Sequence, residues 1–532
     1  MIRVLRPHSV ARCVSLGAAI ALSATTIRAD PSHLTSSVSA ANARFGSPDN
    51  VIANGFSLHV VASGDMPLEN PSGVITRFGY LNDFPPQTVD PTKTEPDENT
   101  YLELDDNPGG PTSGYDYGHH FLYQGHENGN DLAYVTRVNL DVNDPAHRVT
   151  LLTPVGQDGK THFGSIDGST WDPFTRTLLF TEERGSTGGV IEITAGWPAE
   201  VRTLNGILGQ AGYEGIHTDD QGNLLVIEDA GGTSVNVVPS DPASPKSARQ
   251  PNSFVYRFEP YDVTNLSAGG RLYALQVWVD GEPVTFHAND PVGDTFADAQ
   301  EQLHSLGTSW PAAWVLVHDT ATNGFADFNA NTAAKAAGAT PFKRPENAQY
   351  LPGSGFDTFF FDPTGDTNTN SGNQPALAAR GAWGSIFRAD FPGNGMNGTV
   401  SIVVLGDAVH SSFDNLAFVD TQTLLAAEDR GDTLHKQLNR LDSIWAFDVR
   451  GALNPRRFLA LGRDAASTAD AALLDASTPG YQNEGDNEPT GLHISDGSVS
   501  AQHVQGKPTN PSQARWFFTQ QHGLNRIFEI RH

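Results

Sequence analysis

A short apolar run that ends on two acidic residues occurs three times in this sequence and limits the folds that the chain can adopt. It reads TLLFTEE at 177–183, NLLVIED at 223–229 and TLLAAED at 423–429. A segment with a leading acid precedes each run, namely DGSTWDP at 167–173, EGIHTDD at 214–220 and DNLAFVD at 414–420. The repeated unit therefore combines an acid, an apolar strand, an Asp-containing turn and a second strand that ends on acids.

Further copies of this unit extend over most of the chain. Third strands follow at 190–194, 254–258 and 443–449, and looser copies begin near 120, 356 and 515. Short strands rich in β-branched and aromatic residues, separated by many of the 53 Gly and 34 Pro, indicate an all-β fold. Six units at this spacing predict a six-bladed β-propeller, with seven blades as the nearest alternative.

The longest interruption of the repeat covers about 261–340. It includes two helical patterns, ADAQEQLHSL at 297–306 and NTAAKAAG at 331–338, and a third pattern, ADAALLDAS, lies at 469–477. We expect these segments to cap one face of a single propeller domain spanning 30–532. We do not expect them to form a separate domain.

The first 29 residues have the pattern of an export signal. Arg3, Arg6 and Arg12 precede the small, apolar run VSLGAAIALSA, which is too short to span a bilayer. A cleavage site follows either Ser23 or Ala29, and no arginine pair marks the twin-arginine route. The single cysteine, Cys13, lies in this segment, so the rest of the chain has no disulfide or thiolate ligand. We expect a periplasmic or secreted protein.

The charge of the chain excludes several classes of partner. The formal net charge is −28, which opposes binding to nucleic acid or to anionic lipid. No later apolar run is long enough for a membrane anchor, and we expect a monomer. Such a charge suits the binding of cations, although an acidic solvated surface is its more common cause.

Hairpin geometry brings the repeated acids together. The start of the first strand and the end of the second lie at the same edge of a hairpin, and the first strand of each unit is expected to be innermost. The candidate metal ligands at this mouth are Asp167, Glu182, Glu183, Glu214 and Asp414. Calcium suits a crowd of carboxylates, whereas acids at hairpin ends that merely contact water are the simpler alternative.

Arg344 and Glu346, in FKRPENAQY, are the candidates for direct chemistry. A guanidinium beside a metal-binding carboxylate can hold a phosphate oxygen, although a structural ion pair is the more common meaning of this pattern. His126 and Glu127 are interpreted as part of a turn, and His522 as a polar contact. Motifs of serine hydrolases, zincins and phosphate-binding glycine loops are absent from the sequence.

Taken in order, these segments resemble the PhoX-type alkaline phosphatase family. The resemblance runs from RFGYLNDF at 77–84, through the acidic strand ends and Arg-Pro-Glu at 344–346, to QQHG at 520–523. It implies a six-bladed propeller that hydrolyses phosphomonoesters, with calcium ions and a pair of irons at its mouth. Carried over by resemblance, Arg344 is a substrate contact, and Glu346, Asp414 and Asn415 join the metal site. Asn415 is also a substrate-binding candidate.

Two features depart from the family pattern. The family's iron-binding cysteine is replaced in HFGSIDGST, at 162–170, by Ser165 or Asp167, and the export signal lacks the arginine pair. We therefore predict a phosphatase for a small-molecule phosphate ester that holds several calcium ions and no iron. The alternatives are a calcium-dependent lactonase or esterase, and a non-catalytic propeller stabilised by calcium.

Overall fold

The computed structural model describes residues 38, 49–79, 94–129, 131–450, 453–462, 488–501, 514–521 and 524–531. The proposed signal segment, the helical pattern at 469–477, residues 80–93 and His522 lie outside these ranges. Strands account for 42% of the chain and helices for 12%, so the fold is mostly β, as predicted. Every helix in the described ranges is too short or too polar to cross a lipid bilayer.

The strands form antiparallel groups of four, which we call modules 1 to 6 in chain order. Two N-terminal strands come before them, β1 (Val51–Ile52) and β2 (Ser57–Ala62). Module 1 contains β3 (Glu95–Glu103), β4 (His120–Glu127), β5 (Tyr134–Asn139) and β6 (Val149–Leu151). Module 2 contains β7 (Ile166–Asp172), β8 (Thr177–Glu182), β9 (Val190–Thr194) and β10 (Val201–Thr203).

Modules 3 and 4 lie on either side of the long insertion. Module 3 contains β11 (Tyr213–Thr218), β12 (Leu224–Glu228), β15 (Val255–Pro260) and β16 (Gly270–Val279), with β13 (Ser234–Val235) and β14 (Ala248–Arg249) forming a separate hairpin. Beyond it lie β17 (Glu282–Pro283) and β18 (Ser309–Asp319). Module 4 contains β19 (Pro345–Tyr350), β20 (Thr358–Pro363), β21 (Ser385–Asp390) and β22 (Asn397–Leu405).

The last two modules complete the chain and bind its N-terminal strands. Module 5 contains β23 (Phe413–Phe418), β24 (Thr423–Glu428), β25 (Ser443–Asp448) and β26 (Leu453–Ala460), and β1 pairs with β26. Module 6 contains β27 (Pro489–Ser495), β28 (Arg515–Gln520) and β29 (Arg526–Arg531), and β2 supplies its fourth strand. The two ends of the described chain are therefore joined by backbone hydrogen bonds.

The first strand of each module is its innermost strand. Neighbours along this inner ring contact one another in the order β3, β7, β11, β19, β23 and β27, and β27 returns to β3. Hydrophobic clusters fill every junction between neighbouring modules; Leu179 of module 2, for example, packs in one cluster with Tyr213 of module 3. Because each small sheet buries its faces against its neighbours, the architecture is propeller-like. The count of six blades remains a prediction.

The insertion at 261–340 differs from its expected form. Two long strands, β16 and β18, pair along most of their length, and β18 also pairs with β22. Modules 3 and 4 are thereby joined at their outer edges into one ten-stranded sheet, whose inner ends β11 and β19 also contact each other. Of the two long strands, β16 is the fourth strand of module 3, whereas β18 has no counterpart in the other modules.

Helices are short and lie between the strands. They are α1 (Asn205–Leu208), α2 (Pro291–Thr295), α3 (Asp298–Leu303), α4 (Thr320–Asn323), α5 (Ala330–Ala336), α6 (Thr369–Gly372), α7 (Pro375–Ala378) and α8 (Gly431–Leu438). The helices predicted at 297–306 and 331–338 are thus present, within shorter bounds. In α5, Asn331 donates a hydrogen bond to Glu228 Oε1 at 2.8 Å. This contact places α5 beside the acidic end of β12.

Candidate metal and anion site at the channel mouth

An irregularity recurs near the start of every innermost strand. The strand register shifts between Pro96 and Asn99, Ile166 and Ser169, Tyr213 and Ile216, Pro345 and Ala348, Phe413 and Leu416, and Thr490 and His493. The residues at the first shifted position are Asp97, Asp167, Glu214, Glu346, Asp414 and Gly491. A β-bulge re-aims the side chain that it carries. The same local device therefore presents an acid at the same level in five modules.

Close packing of the inner ring holds these acids near one another. A Cβ atom added to Gly168 would lie 1.9 Å from the carbonyl oxygen of Glu214 in the next module. The Thr181 hydroxyl donates a hydrogen bond to the same carbonyl oxygen at 2.5 Å. The backbone that carries Glu214 is thereby fixed against module 2.

Polar contacts cross the other junctions at a similar level. They are Thr100 Oγ1 to Ser169 Oγ (2.9 Å), His217 Nε2 to Asn347 Oδ1 (3.1 Å), Thr364 Oγ1 to the Phe413 carbonyl (2.6 Å), the Leu492 amide to Asn415 Oδ1 (3.2 Å) and Asn99 Nδ2 to the Gly491 carbonyl (2.9 Å). Buried hydrogen bonds of this kind fix the relative position of neighbouring strands. The inner ring is a rigid frame for the acids.

Two groups of three carboxylates have the geometry of cation sites. We call Asp97, Glu127 and Asp167 the first cluster, and Glu183, Glu214 and Asp229 the second cluster. Within each cluster, one carboxylate oxygen from every residue lies within 4.8 Å of the others. Glu127, Glu183 and Asp229 come from the ends of the second strands, as the hairpin argument predicts. Together with Glu346 and Asp414, these residues form what we call the acidic mouth.

Burial and mutual repulsion make ionisation of the acidic mouth costly. Burial raises the pKa of Asp97 and of Glu346 to about 7, and nearby carboxylates add to the effect. The pKa of Glu183 and of Glu214 is raised well above its ordinary value, first by burial and then by neighbouring acids. Crowded carboxylates either bind protons or need a cation between them. A bound cation would reverse these shifts.

Several oxygens of the acidic mouth are buried without a hydrogen bond. Among the described residues, no hydrogen-bond partner is found for Asp167 Oδ1, Glu214 Oε2 or Asp229 Oδ1. Buried carboxylate oxygens are normally paired or coordinate metals. These unpaired atoms are all carboxylate oxygens, which are hard ligands of the type that calcium prefers. The residues present therefore fit calcium.

Iron fits this site less well. Ser165, which stands where the resembling family has a cysteine, lies directly beside the second cluster, because the Glu183 amide donates to the Ser165 carbonyl at 2.8 Å. Its hydroxyl cannot replace a thiolate as a soft ligand. Among the described residues of the site, every candidate ligand is an oxygen donor.

Arg344 brings a positive charge into the acidic mouth. Its Nε donates to Asp229 Oδ2 at 2.9 Å, and its Nη2 lies 3.1 Å from Glu346 Oε1. Burial lowers the pKa of Arg344, but Asp229 and Glu346 outweigh this effect and hold the pKa well above its ordinary value. The side chain is 19% exposed, compared with 5% and 4% for its two partners. It is fixed in place and still accessible to a ligand.

Glu98 extends from the second bulge position of module 1 across the channel. Its carboxylate accepts hydrogen bonds from the Ser169 amide, at 2.7 Å, and from the Asn347 side chain of module 4. Modules 1 and 4 lie opposite each other in the ring, so this contact spans the channel. Burial raises the pKa of Glu98 to about 8.

Two of the predicted ligands, Glu182 and Asn415, are held by hydrogen bonds within the protein. Glu182 Oε1 accepts a hydrogen bond from the Gly164 amide at 3.1 Å, because strand alternation directs Glu182 away from the channel and Glu183 toward it. Asn415 donates to Asp414 Oδ1 at 2.8 Å, and its own oxygen accepts from Thr490 and from the Leu492 amide. The Asn415 amide therefore links modules 5 and 6. Asp167, Glu183, Glu214, Glu346 and Asp414 do meet at the mouth.

Asp97, Glu127 and Asp229 were not among the predicted ligands, although the hairpin places Asp229 at the same edge as Glu214. Asp97 went unnoticed because the loop at 104–119 separates β3 from β4, so that the spacing of the repeat is lost in module 1. Glu127 was interpreted as a turn residue. Its neighbour His126 is structural, because it is buried and stacks on Tyr134 with ring centroids 4.3 Å apart. The aligned acid pairs of the other modules were the signal that points to Glu127.

Comparison of the fold with solved structures gives one informative likeness. The Pseudomonas fluorescens PhoX structure, in complex with vanadate, a transition state analogue, covers 93% of this chain and 97% of its own length at a TM-score of 0.52. The fold is PhoX-like. Sequence identity to PhoX is 14%, so the likeness concerns the fold alone. No protein-family model and no curated protein matches the sequence.

Other similar structures are more distant. A putative phosphatase from Bacteroides thetaiotaomicron has a TM-score of 0.38 and 11% identity, over 90% of this chain and 79% of its own. A putative gluconolactonase has a TM-score of 0.28 and 10% identity, over 69% and 89% of the two chains. Neither score establishes a common fold with this chain.

Proposed function

We propose that this protein is an exported, calcium-dependent phosphomonoesterase built on a six-bladed propeller. The observation that carries the proposal is a partly exposed arginine that pairs with two buried carboxylates among the crowded acids at one end of the channel. Carboxylates would hold the cations, and cations together with Arg344 would bind an oxyanion. The PhoX structure, whose fold this chain shares, contains vanadate, described as a transition state analogue, and vanadate is such an anion.

The proposed ligands are the carboxylates of the acidic mouth. One calcium ion would be held by the first cluster and another by the second cluster, with Glu346 and Asp414 completing the set. Bound calcium would offset the charge of the phosphate oxygens and favour ionisation of a nucleophilic oxygen. We propose that iron is not retained, since the site offers no thiolate.

Arg344 is the proposed phosphate contact. Its Nε and Nη2 are oriented by Asp229 and Glu346, so the guanidinium keeps one direction toward the channel. Such a fixed cation binds phosphate oxygens with little loss of side-chain entropy. Glu346 has two proposed roles: it orients Arg344 and it offers an oxygen to a cation.

The test is hydrolysis of an aryl phosphate at alkaline pH, with calcium titrated into chelated protein and iron measured in the purified protein. We expect activity to appear with calcium alone. Stoichiometric iron would contradict the calcium-only site, and a folded, calcium-loaded protein without turnover would contradict the phosphatase proposal.

Arg344→Ala separates the phosphatase from the lactonase. We expect a loss of at least 100-fold in kcat/KM toward aryl phosphate, on the order of 3 kcal/mol of transition-state binding. Arg184→Ala is the matched control, because Arg184 also follows an acid pair but binds Asp131 at the rim, at 3.0 Å. A lactonase that polarises a carbonyl through calcium would retain its activity in both variants.

The proposal also covers location and partners. We propose a periplasmic or secreted monomer that loads calcium outside the cytoplasm and binds a small phosphate ester, without nucleic acid or a membrane anchor. N-terminal sequencing of exported protein would locate the cleavage after Ser23 or Ala29. Retention of residues 1–29 in protein from the cell interior would contradict export.

A further inference from the structure

The backbone of Arg344 adopts an unusual conformation. Its φ angle is 53°, in the left-handed region that residues with a Cβ rarely occupy. Arg344 immediately precedes β19, so this conformation sets the direction in which the guanidinium leaves the chain. A residue of this kind keeps such a conformation only when its surroundings determine it.

The loop that follows β20 supplies these surroundings. The Thr364 amide donates to the Arg344 carbonyl at 2.7 Å, and the Gly365 amide donates to the Lys343 carbonyl at 3.1 Å. The Thr364 hydroxyl is itself bonded to the Phe413 carbonyl of module 5. Residues 364–365 therefore connect the backbone of Arg344 to the rigid inner ring.

A buried ion pair fixes the same loop to the residue before Arg344. Lys343 Nζ lies 3.2 Å from Asp366 Oδ2, and the side chains are 3% and 0% exposed. Asp366 Oδ1 also accepts the Arg249 amide at 3.0 Å. A buried ion pair is seldom a net source of stability, because desolvation of both charges offsets their attraction. Since stability does not explain this ion pair, its place beside Arg344 indicates a role in positioning that arginine.

We propose that Lys343 and Asp366 are positioning residues that hold the Arg344 guanidinium in the orientation required to bind a phosphate dianion. This inference rests on the proposed function of the acidic mouth and assigns it a further pair of residues. Both side chains are bonded outside the acidic mouth, to each other and, for Asp366, to the Arg249 amide. They act through the backbone at 343–344 and through the loop at 364–366.

The experiment measures binding of inorganic phosphate to the calcium-loaded protein by calorimetry. The variants are Asp366→Asn, which keeps an acceptor for the Arg249 amide and removes the charge, and Lys343→Met. We expect each variant to bind phosphate about tenfold more weakly and calcium with unchanged affinity. Glu529→Gln is the matched control, because it breaks a half-buried pair with Arg515, at 2.7 Å, in module 6.

A double-mutant cycle with Arg344→Ala distinguishes positioning from general destabilisation. We expect Asp366→Asn to have no further effect on phosphate affinity once the guanidinium is absent. An equal loss of affinity in both backgrounds would overturn the inference, as would full phosphate affinity in a folded Asp366→Asn protein.

A crystal structure of Asp366→Asn gives a readout that does not depend on activity. We expect the Arg344 guanidinium to leave Asp229, and an unmoved guanidinium would overturn the inference. Hydrolysis is assayed separately. If the unmutated protein binds phosphate but hydrolyses no phosphate ester, the phosphatase proposal is rejected and the positioning role remains.

Discussion

Neighbouring acids in the repeat have different roles, because successive side chains of a strand point to opposite sides. Glu228 faces its own module, where it accepts hydrogen bonds from the Phe254 amide at 3.1 Å and from Tyr256 at 2.9 Å. Asp229 belongs to the second cluster and binds Arg344. Glu182 and Glu183 are divided in the same way. In these two pairs, one acid is bonded within the fold and the other faces the acidic mouth.

This division predicts the effect of two conservative substitutions. Glu183→Gln removes a charged ligand from the second cluster, and we expect calcium affinity to fall by at least tenfold. Glu182→Gln keeps an acceptor for the Gly164 amide, and we expect unchanged calcium affinity. Isothermal titration with calcium measures both. Equal losses in the two variants would show that both acids contact the ion.

His304 predicts an acid-sensitive stability. Burial lowers its pKa from 6.5 to about 4, and its Nδ1 bonds to the Gln300 carbonyl at 2.7 Å. In the unfolded state the His304 imidazole binds a proton that it does not bind in the folded state, so stability is lost as pH falls from about 6.5 to about 4. We expect a contribution of up to about 3 kcal/mol, measured by urea unfolding at pH 7 and pH 4. In His304→Gln this part of the pH dependence should disappear, and an unchanged slope would contradict the assignment.

At the scale of elements, the bulge in each innermost strand is the structural basis of the site. Gly168→Ala tests its packing, because the new methyl group would overlap the Glu214 carbonyl. We expect a lower melting temperature and weaker calcium binding, since Glu214 must move. Gly129→Ala is the control, because a Cβ at Gly129 meets nothing within 4 Å. Unchanged calcium affinity in Gly168→Ala would show that Glu214 is not a ligand.

The elements also show how far the sequence alone could lead. Strand hairpins and the meeting of Asp167, Glu214 and Asp414 were predictable, because the repeat preserves a hairpin length from module to module. Asp97 was hidden by a long loop. The strand β18 was not predicted because no other module has a counterpart, and β16 lies in the segment that was interpreted as an insertion. The bulges were not predictable, since register is a property of two paired strands. The choice between Glu182 and Glu183 depended on that register.

At the scale of the molecule, a cation bound at the acidic mouth would couple metal binding to folding. The ring gathers acids from five of the six modules, so repulsion among them opposes the packing of those modules. Calcium that binds only the folded state stabilises it by about 2.7 kcal/mol at a concentration 100 times the dissociation constant. We expect chelation to lower the melting temperature by several degrees and calcium to restore it. Magnesium is the control ion. A melting temperature that changes with neither calcium nor magnesium would contradict a cation site.

The hydrogen bond between Glu98 and Asn347 affects the route by which ligands enter and leave the site. A propeller channel is in principle open at both ends, but here a side chain from one wall is bonded to the opposite wall beside the acids. This bridge obstructs the channel beside the acids. In the proposed phosphatase, released phosphate would therefore leave on the side from which the ester enters, and the two would compete for the same passage.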